Sequence, residues 1–143
     1  MSPGRKFVNL APEDRVLLVC AAAALALVGL IIAFLPFKVL RAALAIVNRR
    51  RVARPASSPF PPADRIAWAI AVASRYVPGA YNCLTRAAAA RALFAWQNQP
   101  ADLHLGVARL PSGQLAAHAW LVHHGRVVIG GPDVTAYRSL CAL

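Results

Sequence analysis

The chain has 143 residues, room for one compact domain and not for two. Apolar residues make up 59% and charged residues 15%, which excludes general disorder. Sixteen Lys and Arg against five Asp and Glu give a net charge of +11, favouring an anionic partner, and three cysteines without paired spacing exclude a disulfide scaffold and a four-ligand zinc site.

Residues 1–11 carry Pro3, Gly4 and Asn9 and read as a loose terminus. Pro12, Glu13 and Asp14 suit a first helical turn, where proline has no amide to satisfy and acids complement the dipole. Val16 to Leu35 then runs 20 residues without a charge. About 20 apolar residues at 1.5 Å each span a ~30 Å hydrocarbon core, so 16–35 is a candidate membrane contact or span. A cleaved signal peptide is excluded by the length of the block and by Phe34, Phe37 and Lys38, which stand where small residues should prepare cleavage. Lys38, Arg41, Arg49, Arg50, Arg51 and Arg54 follow, and for a span they place everything after Pro36 in the cytoplasm. The competing reading is a helix buried against the rest of the domain, with its alanines weakening insertion and Pro36 ending it.

A second apolar-basic helix runs from Pro36 to about Arg51. The stretch ARPASSPFPPAD, 53–64, holds four prolines and two serines and reads as a linker. The organisation expected is therefore an apolar helical region over 1–52, a linker over 53–63 and a compact domain over 64–143. Asp64 is placed to cap a helix through about Tyr76, with Ile66, Ile70 and Ala73 on one face, and Pro78-Gly79 breaks it. The alanine block and the spacing of Leu84, Ala88, Leu93 and Trp96 predict a helix over 83–97. The pattern then turns to strands at 103–110 and 114–124 around Pro111-Ser112-Gly113, with a third at 126–130 after Gly125. Helices followed by an antiparallel meander make an α+β fold.

Beyond Ala53 only Asp64, Asp102 and Asp133 are acidic, too few for a carboxylate-rich metal site and poor material for a two-carboxylate hydrolase. Gly130-Gly131 follows a strand with no helix after it and makes no phosphate loop. His123 and His124, adjacent on a strand, point to opposite faces and read as surface residues. Cys83 stands apart, because it opens a helix just after the cap-competent Asn82. A thiol there meets the positive end of the dipole and unpaired amides, a setting that favours thiolate and can hold an oxyanion. The plainer role for a free cysteine is a small buried hydrophobe. His118 shares a strand face with Ala116, Trp120 and Val122, and its alanine neighbours leave room for close approach. A helix-start cysteine followed by a strand histidine and a later carboxylate or amide is the arrangement of thiol hydrolases.

The segments PEDRVLLVCAAAALALVGLIIAFLPFKVL, YNCLTRAAAARALF and LHLGVARLPSGQLAAHAWLVHHGRVVIGGPD resemble the lasso-peptide B protein family, the transglutaminase-like leader peptidases of lasso-peptide maturation. The resemblance runs from about Ala11 to Leu140 and is most specific at Cys-Leu-x-Arg (83–86), Gly-Val (106–107) and Ala-His-Ala-Trp (117–120). It implies a papain-like core, a nucleophile helix packed on a small antiparallel sheet behind the apolar N-terminal helix pair. It also implies a cysteine peptidase that needs no cofactor, with Cys83 as nucleophile, His118 as general base and an aspartate as third member. Relatives place that aspartate about twelve residues past the histidine, where this chain has Gly130; Asp133 is the only carboxylate downstream of His118 and is the favoured candidate, with Asn82 or a backbone carbonyl as fallback. The implied partners are a lasso precursor peptide, a separate leader-recognition protein and an asparagine-synthetase-like macrolactam cyclase. Residues 1–62 show no winged-helix recognition domain, so the chain resembles the split form. Two binding readings compete: a basic membrane-surface adaptor without catalysis, and nucleic-acid binding, which scattered arginines and the lack of a reading motif disfavour. A thiol acyltransferase using the same three residues is the third alternative.

Overall fold

The computed structural model describes residues 9–49, 63–80 and 82–143, with the backbone alone for 47–49, 132, 133 and 141. The linker expected at 53–63 lies outside the described residues except for Ala63, as do Arg50, Arg51 and Arg54.

Helix α1, Pro12–Phe34, opens with proline at its first position and Glu13 and Asp14 in its first turn. It ends where Leu35 turns extended, as the residue before Pro36 must. Leu17, Leu18, Ala21, Leu25 and Val28 form its buried face, which packs on α3 (Ala63–Ala73) and α4 (Cys83–Trp96). Helix α2, Phe37–Arg49, folds back and buries Leu40 and Leu44. Asp14 on α1 pairs with Arg65 on α3, and that guanidinium lies 4.7 Å from the centre of the Trp68 ring.

Asp64 differs from its expected role. Helix α3 begins at Ala63, so Asp64 sits inside the first turn, and its Oδ1 accepts from Arg126 Nη2 at 2.8 Å. Helix α3 therefore touches the sheet as well as α4. Both side chains of the pair are exposed, so it adds only about 0–1 kcal/mol.

Helix α4 is the centre of the molecule. Ala87, Ala88, Ala89 and Ala90 are all fully buried, because their small side chains let helices and sheet close on α4 from several sides. Phe94 fills the space between α4 and the sheet and is fully buried. Phe94→Ala should therefore cost about 3–5 kcal/mol in a urea titration, the usual penalty for emptying a large aromatic site.

The sheet is antiparallel in the order β3-β2-β1-β4. Strand β1 is Asp102–Arg109, β2 Leu115–His123, β3 Arg126–Ile129 and β4 Arg138–Ala142. The β1–β2 turn closes through Leu110 and Gln114, with Gly113 at φ +85°. After β3 the chain forms a short 3-10 helix, Pro132–Ala136, and returns as β4 along the far edge of β1. Neither element is foreshadowed in the sequence reading. The histidine pair also needs correction: β2 ends at His123, while His124 occupies the β2–β3 turn at φ +48°. The two rings lie 4.2 Å apart, and His123 is half-buried, in ring contact with Phe94 and donating through Nδ1 to the Pro100 carbonyl.

Candidate active site

Cys83 is the first residue of α4, as expected. The Asn82 side chain makes the start of this helix definite: its Oδ1 accepts from the Leu84 amide at 3.0 Å. The same oxygen accepts a long contact from the Cys83 thiol, 3.6 Å away. One amide group thus caps the helix and orients the sulfur. Cys83 and Cys20, the described free thiols, are both half-buried and packed against the core. Brief iodoacetamide labelling near pH 7, read by peptide mapping, should modify Cys83 about tenfold or more faster than Cys20, since Cys83 alone of the two stands at a capped helix start. Equal rates would remove the argument for an activated Cys83.

His118 lies in the middle of β2, opposite Gly106 of β1. Strand alternation sends Ala119 and Leu121 into the core beneath α4 and turns His118 and Trp120 to the other face. On that face the His118 ring lies 5.0 Å from the Tyr137 ring and 6.2 Å from Trp120, which stacks in turn on His104 at 5.6 Å. Strand β3 pairs with β2 at Leu121, Val122 and His123, so His118 stands beyond the end of that pairing.

The ring is held at one nitrogen. His118 Nε2 lies 2.8 Å from the Gly130 carbonyl oxygen. A carbonyl only accepts, so Nε2 carries the proton and, in the neutral ring, Nδ1 carries the lone pair. That tautomer suits a general base acting through Nδ1. The carbonyl belongs to the residue twelve past His118, the position where the resemblance implies an aspartate.

Gly130 has no freedom to become anything larger. Its φ is +116°, and a Cβ there would meet the Trp120 Cβ at 2.5 Å. At the other end of the same indole, a Cβ on Gly106 would meet the ring tip at 2.7 Å. Two glycines from neighbouring segments therefore form a slot for Trp120, and one of them supplies the acceptor for His118.

The remaining acids fall elsewhere. Asp64 is engaged by Arg126, whose register partner His123 is about 17 Å along β2 from His118 at ~3.4 Å per residue. Asp102 is exposed at the start of β1, opposite Val122. Asp133 follows β3 in the 3-10 helix, and its side chain lies outside the described residues. The structure brings His118 together with Gly130, Trp120 and Tyr137. Among the described residues no hydrogen bond joins it to Cys83. Tyr137 has no signal in the sequence, because the turn that carries it onto the sheet follows no hydrophobic period.

Residues 19–142 match the transglutaminase-like superfamily. No curated protein and no solved structure matches the chain.

Proposed function

The chain belongs to the transglutaminase-like superfamily, whose members include cysteine peptidases and acyltransferases, and from that premise we propose that it is a cysteine peptidase that removes the leader from a ribosomally made lasso-peptide precursor. The observation that carries this reading is the family match over residues 19–142, in a chain whose capped helix begins with Cys83 and whose sheet carries His118 with its tautomer fixed by Gly130.

In the proposed reaction the Cys83 proton passes to His118 Nδ1 as sulfur attacks the scissile carbonyl carbon. The C–N bond breaks, the amine leaves with the proton from Nδ1, and the leader remains as a thioester on Sγ. Water, deprotonated by the same nitrogen, attacks the thioester and releases the leader as a carboxylic acid, restoring the thiol. Asn82 occupies the Leu84 amide, so the Cys83 amide itself is the helix-end donor assigned to the oxyanion. The reaction requires Cys83, at the start of α4, and His118, on the sheet face turned from α4, to come within hydrogen-bond reach in the substrate complex. Two acceptors compete to steady the imidazolium: Asp133, and the Gly130 carbonyl.

We place the reaction in the cytoplasm, in contact with the membrane through 16–35, with a separate leader-recognition protein and an asparagine-synthetase-like cyclase as partners. The excess of cations fits an acidic leader or carrier. The test is to incubate the purified chain with precursor and recognition protein and to weigh the products. A leader ending in a free carboxylate supports hydrolysis; a leader joined to an added amine supports acyl transfer instead. An intact precursor under all conditions supports the non-catalytic adaptor.

A further inference from the structure

We propose that the outer face of α1, with the start of α2, seats the protein on the surface of an anionic lipid bilayer, and that α1 lies along the interface and does not cross it. Among the described residues α1 alone is long and apolar enough to span. Its circumference is nevertheless divided. Leu17, Leu18, Ala21, Leu25 and Val28 are committed to α3 and α4, and at Gly29 an added Cβ would lie 3.9 Å from Thr85 of α4. On the opposite side Val16, Val19, Leu27, Leu30 and Phe34 are between 57% and 79% exposed. At 100° per residue these five share one stripe, turned about 180° from the buried set.

A helix apolar all round requires cover all round, and the fold covers only half of this one. Spanning does not solve the problem. It would either strip α1 from α3 and α4, baring Ile66, Ile70 and the alanines of α4, or draw α4 into hydrocarbon with the buried Arg91. Lying in the interface covers the stripe and leaves the packed face intact.

Charge selects the occupant. The stripe is uncharged from Val16 to Leu35, and the exposed Phe37, Lys38 and Arg41 of α2 follow at its end. Two copies of a chain carrying +11 repel each other, whereas anionic headgroups attract those cations as the stripe enters the acyl boundary.

Flotation of the full chain with vesicles tests this. Vesicles of phosphatidylcholine with about a third phosphatidylglycerol should bind the protein about tenfold or more tighter than pure phosphatidylcholine, and added salt should narrow the gap. Leu27→Glu/Leu30→Glu should weaken binding about tenfold or more with an unchanged circular dichroism spectrum, since both side chains are exposed. Lys38→Glu/Arg41→Glu, also exposed, should abolish the lipid preference and decides the matter if the leucine variant fails to fold. Cys83→Ala should bind like the parent, which separates this surface from the thiol chemistry. Failure to float with either vesicle, equal binding to both, resistance to alkaline carbonate extraction, or a dimer that Leu27→Glu/Leu30→Glu dissociates would each overturn the proposal.

Discussion

Cys83→Ala should leave the protein folded and the leader uncut. The substitution removes one half-buried sulfur, and Asn82 keeps its bond to the Leu84 amide, so the start of α4 survives. Stability should change by no more than about 1 kcal/mol, in the range of small side-chain truncations away from a full core position. The rate should fall by about four orders of magnitude or more, because the covalent route has no other nucleophile. His118→Ala should do nearly the same. Residues that act as a unit are not additive, so the double variant should be no slower than either single one. Single-turnover cleavage of the precursor, followed by mass spectrometry, measures all three. If Cys83→Ala cleaves at the parent rate, the thiol mechanism is wrong; if the two losses multiply, the two side chains do not act as one unit.

Gly130→Ala should damage both the fold and the reaction. The backbone at φ +116° strains any L side chain, and the new methyl would stand 2.5 Å from the Trp120 Cβ. Strain of about 1–3 kcal/mol adds to overpacking of similar size, giving a loss of roughly 2–6 kcal/mol in a urea titration. Relief of the clash must move either Trp120 or the 130 peptide. Either movement disturbs the carbonyl that holds His118 Nε2 at 2.8 Å, so hydrolysis by the fraction still folded should fall as well. Asp133→Asn supplies the contrast. If Asp133 steadies the imidazolium, that variant should keep its stability and lose hydrolysis by orders of magnitude. If it cleaves at the parent rate while Gly130→Ala is slow, the neutral carbonyl is the acceptor. A ring nitrogen spectrum of His118 gives a readout that needs no substrate: the proton should reside on Nε2 in the parent and lose that preference in Gly130→Ala.

The transglutaminase-like match over 19–142 spans α1 from Val19 onward as well as the helix and sheet that carry Cys83 and His118. The buried face of α1 packs on α3 and α4.

Some of this was legible without coordinates because the signals are local. Pro12 and the two acids after it start α1, Asn82 caps α4, and Pro111-Ser112-Gly113 turns β1 into β2; each acts within a few residues of itself. The alternation along 115–123 separates Ala119 and Leu121 from His118 and Trp120, and the sheet sorts them accordingly. The chain's own order supplies Cys83 and His118 as candidates. Tertiary structure decided the rest. Strand β4 has no clear alternation and exists because β1 offers an unpaired edge. Asp64 leaves its expected cap for Arg126, 62 residues away, a charge partner that only folding brings near. The acceptor for His118 is a backbone oxygen, which no residue letter can announce, and the glycine that presents it is demanded by the indole beside it. Helix α1 reads in the sequence as uniformly apolar. Only packing against α3 and α4 divides it into a core face and an open one, because burial depends on which neighbours arrive and not on composition.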